Sequence, residues 1–181
     1  EAPDTTTTEA PVDELPDEIE RVDYLTFAQG AIPLGVTVDG PGGDIATATI
    51  MQAIDGSPVA RSFVEQATDD TAVTMLFELA GPTTFDRFAV PEVGEVPSSS
   101  TTFFRSVEVR GGDAADGPFE LLAQAELATH DGRGEVTELE IVASQPVSYL
   151  QVRLAGGIEV LDEQNRASSS SASWSPTANR N

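Results

Sequence analysis

Carboxylates dominate the side chains of this sequence that could take part in chemistry. The 181 residues include 31 acidic side chains, nine arginines, a single histidine (His130), and no lysine or cysteine. Acid pairs occur throughout, but a glycosidase depends on the spatial separation of its two carboxyl groups, which a sequence does not give. His130 has no partner motif with which it could act as a base, and phosphate-binding glycine loops and nucleophile elbows are absent from the sequence. The sequence therefore predicts that the protein is not an enzyme.

A net charge of −22 limits the partners that the protein can have. Nucleic acids and anionic membrane surfaces are bound through basic patches, so neither is an expected partner. No apolar run approaches the ~20 residues of a membrane-spanning helix, so no membrane insertion is expected. Such a charge is tolerated best where salt screens it, which fits a saline extracellular setting or simply an acidic secreted protein.

The chain divides by composition into a domain with a polar segment on each side. Residues 1–23 contain nine acids, one arginine and three prolines, which is the composition of a disordered linker. Residues 167–181 are rich in serine and are predicted to form a tail or second linker, which leaves the domain at residues 24–166. This layout, with a start at Glu1 that lacks signal-peptide regions, predicts a processed module that is extracellular, periplasmic or on the cell surface.

Strand patterns fill the predicted domain. Apolar residues fall two apart, the period of a strand face, at Val73, Met75, Phe77 and Leu79. A tight turn is predicted at Gly81-Pro82, and the long polar loop Pro91–Thr102 precedes another strand. Further strand-like segments are Leu25–Val38, Phe119–Leu127, Val136–Ser144 and Val147–Leu154. Seven or eight short strands, with little more than a turn or short helix near Ala53–Phe63, predict an all-β antiparallel sandwich or barrel.

Five segments in the same order resemble the discoidin family, also called F5/8 type C or galactose-binding-like domains. They are Leu25–Ala31 (LTFAQGA), Ala53–Phe63 (AIDGSPVARSF), Phe77–Val90 (FELAGPTTFDRFAV), Arg105–Phe119 (RSVEVRGGDAADGPF) and Tyr149–Leu154 (YLQVRL). The resemblance covers about Leu25–Asp162, with Phe63 in place of the family's tryptophan. It implies an antiparallel jelly-roll β-sandwich of about eight strands whose loops at one end bind a ligand, commonly a sugar.

Phe103, Phe104 and Arg105 are the ligand-binding residues that the resemblance favours. A sugar is held by an aromatic face against the apolar side of its ring and by planar polar groups on its hydroxyls. Because Phe103 and Phe104 are adjacent, one of them faces away from the core if both lie in a strand. Arg105 stands beside them at the base of the Pro91–Thr102 loop. The alternative is that both rings are buried under that loop.

A structural calcium ion is also implied by the resemblance, because many relatives hold one near the Asp-Gly loop. Asp55 matches the aspartate of that loop, Glu159 fits a late glutamate, and Ser57 stands where an acid is usual. Oxygen ligands of this kind suit calcium. The alternative is that the Asp55 side chain only caps its turn.

The sequence thus predicts a non-catalytic binding module of a secreted or envelope-anchored bacterial protein. Its expected partner is a glycan or cell-surface polysaccharide, bound for recognition or adhesion, and no cofactor beyond the calcium ion is expected. The alternative is a structural or assembly domain that contacts another surface protein without a small ligand. Sparse loop aromatics and the polar flanking segments favour that alternative.

Overall fold

Nine β-strands lie in the part of the chain that the computed structural model describes, residues 22–56, 68–91, 103–127, 136–141, 145–158 and 177–178. The strands are β1 (Val22–Asp23), β2 (Ile32–Asp39), β3 (Ala72–Thr83), β4 (Arg87–Pro91), β5 (Phe103–Gly112), β6 (Glu120–Glu126), β7 (Val136–Glu140), β8 (Val147–Ile158) and β9 (Thr177–Ala178). The helical elements of the described ranges are two 3₁₀ helices, Phe27–Gln29 and Thr47–Ala53. The predicted all-β class is confirmed.

Five of the strands form one antiparallel sheet in the order β2-β3-β8-β5-β6. Its central strand is β8, and in the neighbouring β3 Met75 lies opposite Val36 of β2 on one side and Val152 of β8 on the other. The predicted alternation holds, because the inward residues of the three central strands are 0–5% exposed: Val73, Met75, Phe77, Leu79, Val107, Val109, Leu150, Val152 and Leu154. Burial of this face stabilises the sheet by about 25 cal/mol per Å² of apolar surface.

The second layer of the sandwich contains the antiparallel pair β4-β7. Phe88 and Val90 of β4, with Leu139 of β7 and Ile141 just after it, belong to the same hydrophobic cluster as the inward face of the five-stranded sheet. Two layers that share one core make an antiparallel β-sandwich.

Gly81-Pro82 does not form the predicted tight turn, because β3 continues through it to Thr83. The pairing of β3 with β8 passes from Glu78–Tyr149 directly to Thr83–Val147, which is an irregularity in the ladder. A proline has no N–H to donate and is tolerated in a strand where regular pairing lapses. Residues 84–86 then connect β3 to β4 in the second layer.

The two short strands β1 and β9 lie in the segments that composition assigned to the linkers or their borders. They pair antiparallel, with Val22 opposite Ala178 and Asp23 opposite Thr177, and β9 also lies beside β4. A part of the predicted serine-rich tail thus belongs to a strand pair.

Several sequence predictions fall outside the described residues. They concern the linker 1–21, Ser57 and Phe63, the loop residues 92–102, the His130 loop, and residues 159–176. Within the described ranges, no helix is both long and apolar enough to cross a membrane.

Removing β9 tests whether the C-terminal segment stabilises the domain. A chain that ends at Pro176 loses the partner of β1, and we expect its melting temperature to fall by roughly 3–8 °C, the equivalent of one or two lost hydrogen bonds. A chain that ends at Asn179 keeps β9 and serves as the control. Equal melting temperatures for the two chains, measured by circular dichroism, would contradict a stabilising role for β9.

Candidate functional site

A buried threonine, Thr71, joins three segments at one end of the five-stranded sheet, and it is only 1% exposed. Its hydroxyl donates a hydrogen bond to the Pro41 carbonyl at 2.6 Å and accepts one from the Thr68 N–H at 2.8 Å. Its carbonyl accepts from the Gly156 N–H at 3.0 Å, and the Thr68 carbonyl accepts from Gly157 at 2.8 Å. The turn Thr68–Thr71 is therefore fixed both to the loop after β2 and to the end of β8.

Arg105 lies at this same end, which we call the Arg105 end. Its Nη2 atom is 3.0 Å from Oδ1 of Asp69, a residue of the fixed turn, and the two side chains are 53% and 64% exposed. An ion pair between groups this exposed contributes about 0–1 kcal/mol to stability. Its main effect is to orient the guanidinium, whose five N–H donors exceed what one carboxylate contact uses.

The backbone around Arg105 is anchored on both neighbouring strands. The Arg105 carbonyl accepts from the Leu127 N–H at 2.7 Å, just beyond β6. On the other side, the Ser106 hydroxyl donates to the Ala155 carbonyl of β8 at 3.3 Å. Gly156 has φ 70°, and a Cβ at that glycine would lie 3.6 Å from the Arg105 Cβ. The stem of Arg105 thus lies over a glycine on a well-held segment.

Phe104 is a core residue, whereas the sequence had offered it as a candidate sugar platform. It is 5% exposed and belongs to the hydrophobic cluster, while the next residue, Arg105, is exposed. The regular pleat is interrupted opposite Arg105, where Gly156 adopts a positive φ and donates its N–H to Thr71. Phe103 lies in β5, but its side chain is outside the described part of the structure, so its role stays a prediction.

The opposite end of the sandwich carries an exposed aromatic residue that the sequence did not single out. Phe27 is 58% exposed. It lies in a three-residue 3₁₀ helix that is capped by the Thr26 hydroxyl, and its N–H donates to the Ile54 carbonyl at 2.8 Å. In the sequence Phe27 belongs to an apolar stretch typical of a core strand, so its exposure follows only from the fold.

Of the three predicted calcium residues, the structure describes only Asp55. Asp55 is exposed and follows Ile54 at the Phe27 end, whereas Ile158, the last described residue of β8, pairs with Phe103 at the Arg105 end. Ser57 and Glu159 lie outside the described ranges, and no group of three or more potential metal ligands occurs within those ranges. Calcium binding by Asp55, Ser57 and Glu159 stays a prediction.

Two glycines of the loop after β2 provide a matched test of how tightly the Arg105 end is packed. Gly40 and Gly43 both have positive φ, at 80° and 73°. A Cβ at Gly40 would overlap the carbonyl oxygen of Asp70, whereas a Cβ at Gly43 would meet nothing within 4 Å. We expect Gly43→Ala to cost about 1–2 kcal/mol of unfolding free energy for the left-handed backbone, and Gly40→Ala at least about 1 kcal/mol more for the overlap. Urea denaturation measures both, and equal losses would argue against the close approach of this loop to the turn.

No protein-family model and no curated protein matches the chain. Solved structures do match it in three dimensions. The family 32 carbohydrate-binding module of Streptococcus pneumoniae EndoD superposes with a TM-score of 0.55 at 13% identity, over 88% of this chain and all of that one. The paired family 32 modules CBM32-1 and CBM32-2 of Clostridium perfringens ZmpB, solved in complex with GalNAc, give a TM-score of 0.54 at 16% identity over 88% of this chain.

The chain spans only a part of the longer neighbours. It covers 36% of the ZmpB module pair, and 15% of a ZmpB structure that also includes the M60 catalytic domain, at a TM-score of 0.54. Family 32 modules have the discoidin, or galactose-binding-like, architecture that five segments of the sequence resemble. At 13–16% identity the likeness concerns the fold, so the predicted galactose-binding-like β-sandwich is confirmed as the fold of this chain.

Proposed function

We propose that the protein is a non-catalytic carbohydrate-binding module that holds a glycan at the Arg105 end. The observation that carries this proposal is the exposed ion pair between Arg105 of β5 and Asp69 of the anchored turn. Sugar hydroxyls both donate and accept hydrogen bonds. A guanidinium that donates, 3.0 Å from a carboxylate that accepts, can satisfy neighbouring hydroxyls of one sugar ring.

The backbone segments that carry Arg105 and Asp69 are held in place, which supports a ligand-binding role for the pair. Thr71 and the β8 glycines hold the turn on one side, and the Leu127 and Ser106 hydrogen bonds hold the backbone of Arg105 on the other. Groups that are already positioned lose less conformational entropy when a ligand binds. A small, polar ligand then needs fewer contacts to reach a useful affinity.

The solved neighbours support the choice of a sugar over other hydroxyl-bearing ligands. Those named above are carbohydrate-binding modules, and one of their structures contains GalNAc. Such modules accompany catalytic domains in longer proteins, as the ZmpB structure shows for that protein. For this chain we propose the same kind of setting, a secreted or surface-attached protein in which the module itself carries no catalytic residues.

Glycan binding can be tested directly on the purified chain with an array of bacterial and animal glycans, followed by titration of the best binders. We expect Arg105→Ala to weaken binding by roughly tenfold or more, the value of hydrogen bonds to a charged group. The control is Arg87→Ala, which removes an arginine paired with Glu138 at 2.9 Å on the other layer. Loss of affinity in both variants, or in neither, would contradict a site at Arg105.

Alanine variants of the adjacent residues Phe103 and Phe104 distinguish an apolar sugar contact from core packing. Phe104→Ala should cost about 3–5 kcal/mol of unfolding free energy, because its ring is buried in the core. Phe103 is the proposed platform, so Phe103→Ala should weaken glycan binding. Its free energy of unfolding should stay within about 1 kcal/mol of that of the unchanged protein. A Phe103→Ala protein that binds its glycan normally would remove this residue from the site.

A further inference from the structure

We infer that the Arg105 end selects uncharged glycans and discriminates against sugars that carry carboxylate or sulfate groups. This inference rests on the proposed function, since it concerns the ligand of the same site. It follows from the charges that surround the Arg105 guanidinium.

Four carboxylates lie around Arg105 in the described residues. Asp69 and Asp70 are exposed in the fixed turn, and Asp39 and Glu126 are exposed at the ends of β2 and β6. Register places the two strand acids in one row across the sheet, because Asp39, Ala72, Ala155, Ser106 and Glu126 are successive partners. Arg105 directly precedes the Ser106 member of that row.

The distances implied by this row are short enough for the charges to act together. Neighbouring strands lie about 4.8 Å apart, so Glu126 is one strand away from β5 and Asp39 is about 14 Å away across three. The Debye length at physiological salt is about 8 Å, so the turn acids and Glu126 act on a ligand at Arg105. Asp39 adds a weaker contribution, which is offset by Arg153, two residues from Ala155 on the same face of β8.

Arg105 cannot offset this field, because its charge is already matched by Asp69 at 3.0 Å. An anionic sugar that binds the guanidinium must compete with the Asp69 carboxylate, and its negative charge then lies near the remaining acids. A neutral sugar hydrogen-bonds to both members of the pair and leaves the ion pair in place. The net charge of −22 on the whole chain has the same sign and slows the approach of anions further.

Matched neutral and acidic sugars test this selection. The probes are polymer-linked galactose and galacturonic acid, glucose and glucuronic acid, and GalNAc with and without sialic acid, measured with the full chain. For each neutral sugar that binds, we expect its acidic counterpart to bind roughly threefold to tenfold more weakly at low salt. That ratio should shrink at ~1 M salt, where the Debye length is about 3 Å.

Two glutamates of β6 provide variants that separate local from global charge. Glu126 lies beside Arg105, so Glu126→Gln should bring the affinities for the neutral and the acidic sugar closer together. Glu120→Gln, at the other end of the same strand opposite Gly111, removes the same charge from the chain and should leave the ratio unchanged. A smaller affinity ratio in Glu126→Gln, with an unchanged ratio in Glu120→Gln, supports the inference.

The possible failures are distinct. Acidic sugars that bind as well as or better than their neutral counterparts would overturn charge selection while leaving glycan binding intact. A ratio that changes equally in both glutamate variants would assign the effect to net charge and overturn the local assignment. Absence of binding to every probe and to the glycan array would overturn the proposed function itself, and the inference with it.

Discussion

The hydrogen bonds of Thr71 are the constraint on which the Arg105 end depends. A threonine that is 1% exposed must satisfy its polar atoms internally, because an unpaired buried group costs about 1–3 kcal/mol. Its N–H donates to Thr68, its hydroxyl reaches Pro41, and its carbonyl receives Gly156. These bonds leave the intervening Asp69 and Asp70 pointing outward from a turn that cannot easily rearrange. The position of Asp69, and through it the orientation of Arg105, is a consequence of core formation.

Sequence periodicity was sufficient to predict the three central strands of the sheet because each of them has one buried face. The apolar residues of these strands fall two apart, and the structure buries all of them: Val73, Met75, Phe77, Leu79, Val107, Val109, Leu150, Val152 and Leu154. The same reasoning did not extend to Gly81-Pro82, where composition favoured a turn. A glycine and a proline are also compatible with an irregular strand, and the pairing of β3 with β8 on either side of them decides which occurs.

Sites were harder to predict than strands because they depend on departures from regularity. Phe104 enters the core and Arg105 turns outward where Gly156 takes a positive φ, and nothing in the local sequence of β5 indicates that break. The partner of Arg105 is Asp69, 36 positions earlier in a chain with 31 acids, so pairing could not be chosen by composition. Phe27 was overlooked for the opposite reason, since an apolar stretch gave no sign that its ring would be exposed. Short serine-rich segments likewise give no strand signal, although Thr177–Ala178 pairs with β1 in the structure.

Pairing of β1 with β9 has a mechanical consequence for a module held between flanking chain segments. The polypeptide enters at Val22 and leaves at Ala178, and these residues are direct partners. Tension applied through the two flanks would therefore act first on this two-residue ladder and open its rungs one after another. The five-stranded sheet and the Thr71 turn would carry no load until that pair had separated. The short pair thus bears the first part of such a strain, ahead of the sandwich and of whatever is bound at the Arg105 end.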